Sequence, residues 1–299
     1  MPSRSRIYDP AALPTGMPRR LLFAALAAAV FACLLTAGPA LADTFTPESG
    51  GSQNANDIDT LYKLTLYIGI VIFLLVWGVL IWSLVKYRVR RDGVAHQIRG
   101  NTPLEIGWTL GAASILVVLT VVTFLYLDDI ENPPASGPNG LNTAQFASVD
   151  QPNPPRGGGP FLTIRVNGQQ YIWRYDYMDS KKQLFSYNRM VVPTDTTVVL
   201  KIESSDVIHS WWIPKFGPKA DAVPGYTNDS WFKVPAGREG LYRGQCAELC
   251  GPNHADMRAQ VMAVTPDQFR AWAERKSAQI QAAGEDLAKQ RKEREGASQ

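Results

Sequence analysis

The chain has 299 residues, with 30 Lys and Arg against 27 Asp and Glu and a formal charge of +3, so it is long enough for one ordinary domain plus membrane segments and offers no charge-based case for a nucleic-acid partner. No Cys-x-x-Cys-His occurs anywhere, which excludes a fused c-type haem.

Residues 1–42 read as a secretory signal. Arg19 and Arg20 form a basic n-region, Leu21 to Leu35 an apolar stretch, and Ala40-Leu41-Ala42 a cleavage site before Asp43. A first membrane anchor competes, but the apolar run is short and ends in Thr36, Gly38 and Pro39. Val30-Phe31-Ala32-Cys33 faintly resembles a lipoprotein processing site, which Phe31 fits poorly. Cleavage would remove Cys33 and four arginines and leave the mature chain close to neutral.

An extracytoplasmic segment, 43–60, leads into two apolar helices, 61–86 and 105–128, each long enough to span a bilayer. The loop between them, 87–104, carries Arg88, Arg90, Arg91 and Arg99, whereas Asp128, Asp129 and Glu131 follow the second span. The positive-inside rule puts the basic loop in the cytoplasm and both mature ends outside. His96 in that loop reads as solvated. Thr102-Pro103-Leu104-Glu105 is a capping box with Pro at N1. A carboxylate at membrane depth is also a candidate for a proton path, so Glu105 carries two readings.

Residues 129–160 form a Pro- and Gly-rich linker whose composition predicts an extended connector with no core of its own. From 161 to 265 short alternating segments, such as Leu162-Ile164-Val166 and Val198-Leu200-Ile202, predict an antiparallel Greek-key sandwich. Thr265-Pro266-Asp267-Gln268 then opens a helix, and 266–299 continue as that helix and a polar, solvated tail.

Cys246, Cys250, His254 and Met257 fall within twelve residues, and His209 lies on another connection. Thiolate, imidazole and thioether are soft ligands suited to copper electron-transfer sites. One blue-copper ion needs a single thiolate, so two cysteines suggest a pair of bridged ions, with the Glu248 backbone carbonyl as a further weak donor. A disulfide and a tetrahedral Cys2His2 zinc site compete on spacing alone, although neither accounts for Met257.

Three blocks decide the context: Asp206-Val207-Ile208-His209-Ser210-Trp211, Asp221-Ala222-Val223-Pro224-Gly225, and Gly244 through His254. With the two apolar helices, these resemble subunit II of bacterial cytochrome c oxidase. The resemblance implies a two-helix transmembrane hairpin followed by an all-β cupredoxin-like Greek-key sandwich or barrel in the bacterial inner membrane, with the β domain on the periplasmic side. It implies a binuclear CuA centre at His209, Cys246, Glu248, Cys250, His254 and Met257. That centre would take electrons from cytochrome c and pass them to haem in subunit I, for oxygen reduction coupled to proton pumping. Subunit III is a further implied partner. The same resemblance gives the Glu248 carboxylate a Mg2+ or Mn2+ ion at the contact with subunit I, and Glu105 the entrance of a proton channel.

The family receives electrons on a tryptophan in a Gly-His-Gln-Trp-Tyr-Trp cluster. This chain reads Gly168-Gln169-Gln170-Tyr171-Ile172-Trp173, with Tyr171 at the expected tryptophan. Tyr171 and Trp173 are the candidate electron-receiving residues, and Trp173 equally reads as a core aromatic. Asp206, Asp221 and Asp229 could present a carboxylate face to a basic cytochrome. Rival functions are a quinol-oxidase-type subunit, which lacks the copper ligands, a soluble CuA enzyme of the nitrous-oxide reductase kind, and a membrane-tethered copper carrier.

Overall fold

The computed structural model describes residues 46–88, 97–141, 155–178, 180 and 183–297. The signal segment 1–42 with Cys33, the basic-loop positions Arg90, Arg91 and His96, and the linker stretch 142–154 lie outside the described residues.

Helix α1 runs Gln53–Lys86 and helix α2 Thr102–Glu131. The first begins at Gln53 where the sequence pattern suggested 61, because its opening turn has tertiary partners. Asn54 Nδ2 donates to the Trp231 carbonyl at 3.0 Å, the Lys233 amide donates to Ser52 Oγ at 3.1 Å, and the Gly51 amide donates to the Lys215 carbonyl at 3.1 Å. Beyond that turn the apolar side chains of both helices face outward, so the pair needs lipid or protein around it. The cap of α2 is Asn101, one residue earlier than the capping box Thr102-Pro103-Leu104-Glu105. Asn101 Oδ1 accepts from the Leu104 amide at 3.3 Å, and Glu105 Oε1 accepts from the Asn101 amide at 3.1 Å. Glu105 therefore serves the helix end, which satisfies free amides and the dipole.

After α2 the described part of the linker does not run free. Ser136 Oγ accepts from the Thr197 amide at 2.9 Å, the Gly137 amide donates to the Asp195 carbonyl at 2.8 Å, and Leu141 is buried in the core. Leu141, read from composition as part of an extended connector, instead packs its side chain into the core of the β domain.

Ten strands follow: β1 Leu162–Gln169, β2 Ile172–Tyr177, β3 Phe185–Tyr187, β4 Arg189–Pro193, β5 Thr197–Ser204, β6 His209–Trp212, β7 Ala220–Ala222, β8 Asn228–Lys233, β9 Gly240–Cys246 and β10 Arg258–Val264. They make two five-stranded sheets, ordered β3-β2-β1-β5-β8 and β4-β10-β9-β6-β7. The sandwich is as expected, but it is not wholly antiparallel: β1 with β5 and β4 with β10 are parallel. The cause is that the chain leaves the first sheet at β4 and returns at β5, so β5 re-enters in the direction of β1. Inward residues such as Ile164, Val166, Leu200, Ile202, Val261 and Trp173 fill the space between the sheets.

Helix α3, Pro266–Ala297, opens with Thr265 Oγ1 accepting from the Gln268 amide and Gln268 Oε1 accepting from the Thr265 amide. Phe269 and Ala273 enter the core and the Trp272 ring meets Tyr177 at a tilt, 5.3 Å between centroids; past Ile280 the helix is exposed.

Candidate metal centre

The second sheet ends on one side in a cluster of soft donors. His209 opens β6, Cys246 closes β9, and Met257 directly precedes β10, so three strand ends fix three of the side chains. Cys250 and His254 come from the loop between β9 and β10, which returns through a short 3-10 turn at His254–Asp256.

Cys246 Sγ and Cys250 Sγ lie 3.9 Å apart, far beyond the roughly 2.05 Å of a disulfide, and both thiols are free. His209 Nδ1 is 3.9 Å from Cys246 Sγ, and His254 Nδ1 is 3.5 Å from Cys250 Sγ. Met257 Sδ stands 3.8 Å from Cys250 Sγ, and the Glu248 carbonyl 3.2 Å from Cys246 Sγ. Each sulfur thus has an imidazole nitrogen within 4 Å. His209 Nδ1 and the two sulfurs all fall within 4.8 Å of one another, close enough to hold a common ion. His209, Cys246, Cys250 and Met257 are buried, and His254 is half-buried. Two thiols, two imidazoles, a thioether and a carbonyl make a donor set that fits copper better than a hard cation.

Several neighbours hold this arrangement. Asp206 Oδ1 lies 2.8 Å from His209 Nε2, which is satisfied when Nε2 carries the proton and the Nδ1 lone pair turns to the sulfurs. Partial burial works to raise the Asp206 carboxyl, but hydrogen bonds from the Gln170 amide, His209 and the Val207 amide outweigh it and keep it below the usual carboxylate range. Burial, then the neighbouring Cys246, pushes the Cys250 thiol up to about 11. Gln170 Nε2 donates to the Cys250 carbonyl at 2.7 Å, which ties the cysteine loop to the β1–β2 turn.

Packing leaves no slack around His209. Trp173 meets its ring edge-on at 5.9 Å, and a Cβ on Gly168 would sit 2.9 Å from His209 Cδ2. Gly251 has φ +126, and a Cβ there would stand 2.6 Å from the Tyr171 hydroxyl, so the loop can close only over glycine.

The cluster brings together His209, Cys246, Glu248, Cys250, His254 and Met257. The Glu248 side chain is exposed, away from the buried sulfurs. Trp173 is fully buried, whereas Tyr171 is half-buried with its hydroxyl over Gly251. Glu105 stands apart at the far end of α2. Asp206 and Asp229 are engaged, with His209 and with Lys201 at 2.9 Å, and Asp221 is exposed. The sequence reading gave Asp206 a surface role and missed its bond to His209, although the spacing of three residues across a tight turn was a usable signal. Gln170 carried no such signal.

Comparison with known proteins gives consistent matches. Residues 180–264 match the family described as cytochrome C oxidase subunit II, periplasmic domain, and residues 43–125 match its transmembrane domain. A cytochrome c oxidase subunit 2 of Alkalihalophilus pseudofirmus is 33% identical over 230 residues, covering 76% of this chain and 60% of that protein. A probable cytochrome c oxidase subunit 2 of Rickettsia bellii is 32% identical, covering 77% of this chain and 82% of that one. Among solved structures, the periplasmic domain of subunit II of cytochrome oxidase from Bradyrhizobium japonicum is 32% identical, covers 44% of this chain and 99% of that domain, and superposes with a TM-score of 0.37.

Proposed function

This chain belongs to the cytochrome c oxidase subunit II family, two apolar helices and a cupredoxin-like β sandwich in a respiratory oxidoreductase complex, and from that membership we propose that it is the complex's electron-receiving subunit. In this reading it takes single electrons from cytochrome c at a binuclear CuA centre and hands them to haem in subunit I, where oxygen reduction drives proton pumping. The observation that carries it is the pair of unlinked sulfurs 3.9 Å apart, each flanked by an imidazole nitrogen.

His209, Cys246, Cys250 and His254 would hold two copper ions, with Met257 and the Glu248 carbonyl as weaker donors. When bound, copper supplies reversible one-electron storage. The protein's part is to hold that donor set still. Asp206 fixes the His209 ring, Gln170 anchors the loop, and burial of both sulfurs excludes water, so little rearranges when charge arrives. Tyr171, half-buried over the cysteine loop, is the better placed electron-receiving side chain, since no partner can touch Trp173 from outside.

The exposed Glu248 carboxylate would take Mg2+ or Mn2+ at the contact with subunit I, and Glu105 would admit protons there while also capping α2. Subunit III completes the complex. The charge asymmetry of the two helices supports an inner-membrane protein whose β domain and mature termini are periplasmic.

The test is paramagnetic resonance of the purified full chain loaded with copper, with metal content measured beside it. Two coppers sharing one unpaired electron support the relay. One labile Cu(I) supports the membrane-tethered copper carrier instead. Cys250→Ser should abolish the shared-electron spectrum, and normal oxygen consumption by the assembled Cys250→Ser complex with cytochrome c would refute the relay.

A further inference from the structure

The two outer faces of the β domain carry charge differently. On the first sheet, Arg165 lies 3.8 Å from Glu203, Arg174 2.7 Å from Asp176 and Lys201 2.9 Å from Asp229, and Lys233 Nζ donates to the Ala135 carbonyl at 3.1 Å, so each described strand cation has a partner in place.

On the second sheet the register sets outward side chains in rows. Trp212, Gln245 and Arg258 align across β6, β9 and β10, and Arg243, Gln260 and Arg189 align across β9, β10 and β4. All three arginines are exposed, and among the described residues none has a carboxylate within ion-pair distance. Arg189 Nε donates only to the neutral Gln260 amide oxygen, at 3.0 Å. Lys219 adds a fourth cation above the Trp212 ring. Acids at the border of the face include Asp221 beside β6, and Asp256, which shares a shallow recess of about 410 Å³ with Arg189 and Arg258. The balance is still basic.

Clustered like charges repel, and a soluble face gains nothing from leaving them unpaired. Arg189 and Arg243 sit two strands apart, roughly 10 Å, which is too wide for one small anion and suits carboxylates spread over a protein surface. The row nearest the metal centre is continuous with it, since Gln245 precedes Cys246 and Arg258 follows Met257. Arginine and tryptophan are also the residues that anchor protein interfaces.

We propose that the outer face of the second sheet docks an acidic protein. Identifying that protein as the electron donor rests on the relay reading above; the docking itself does not. Of Asp206, Asp221 and Asp229, the three acids that could meet a basic partner, Asp206 and Asp229 are already engaged and Asp221 is left exposed.

The full chain in neutral detergent is tested for association with an acidic c-type cytochrome and with a basic one, across ionic strength. Two variants accompany it, the triple Arg189→Gln, Arg243→Gln, Arg258→Gln and the triple charge reversal to Glu. The acidic cytochrome should associate fastest at low salt, and the Gln triple should slow it at least about tenfold. The Glu triple should stop it, with unchanged melting of both variants. Association of the acidic cytochrome that ignores the Gln triple overturns the proposal, as does a wild-type preference for the basic cytochrome. Loss of binding to anionic-lipid vesicles alone, with cytochrome association intact, overturns it in favour of a membrane contact. Copper-free chain is measured in parallel: association there supports docking even if the loaded chain then accepts no electron, a result that would count against the relay only.

Discussion

Asp206 Oδ1 sits 2.8 Å from His209 Nε2, so an exposed carboxylate orients a fully buried imidazole whose other nitrogen faces Cys246. Asp206→Ala should lower copper affinity about 10- to 100-fold, because the ring loses the partner that fixes its tautomer and angle. Asp206→Asn keeps an acceptor and should lose less. Competition titration with a chelator of known affinity measures both.

The Cys250 thiol, pushed up to about 11 by burial and by Cys246, gives a pH window with a definite sign. A folded value above the ordinary 9.0 means the metal-free fold favours the protonated thiol. That stability is complete below about pH 9 and is lost as the pH rises through about 11. Copper needs thiolate, so its uptake releases protons and its apparent affinity climbs with pH over the same approach. Melting of metal-free chain between these pH values, and proton release during copper titration, read the two effects separately.

Gly168→Ala should destabilise the β domain by about 1–3 kcal/mol and displace His209, because the new methyl meets Cδ2 of that ring at 2.9 Å and Trp173 at 3.1 Å. Denaturant unfolding gives the first number. A weakened copper spectrum at full metal load reports the second.

Leu141→Ala should cost about 2–5 kcal/mol despite lying in a stretch whose composition reads as a connector. Susceptibility of the linker to a protease should rise in step. A loss within about 0.5 kcal/mol, the ordinary range for surface positions, would return Leu141 to the solvent.

Glu105→Gln separates the two readings of that residue. The amide keeps an acceptor for the Asn101 N–H, so the helix end should hold and copper loading should be unchanged. Oxygen consumption by the assembled complex should slow if protons enter there. Equal turnover with unchanged thermal stability leaves only the cap.

The sequence carried much of this architecture because its strongest signals are local. Two uniformly apolar runs need no tertiary information to read as spans, and Leu162-Ile164-Val166 announces a strand by alternation alone. The donor set was legible for the same reason: four of its side chains lie within twelve residues. What escaped were relationships made at a distance. The parallel pairing of β1 with β5 depends on the route of the chain between sheets, which alternation does not encode. The early start of α1 depends on Trp231 and Lys233, far along the chain, since Ser52 and Asn54 are ordinary polar residues until those partners are present. Gln170 anchors the cysteine loop through its side chain and Asp206 through its backbone amide, which no short-range pattern announces.

The socket that receives Asn54 also bears on how the molecule is made. Its walls, Lys215 to Lys233, are separated from their plug by up to 181 residues, so the ribosome finishes the plug long before it finishes the walls. The hairpin must therefore wait, threaded through the bilayer, while the β domain is synthesised and folds around its waiting end. Later-made residues complete earlier-made ones, and any rearrangement that draws the hairpin away would tug directly on β8, which carries Trp231.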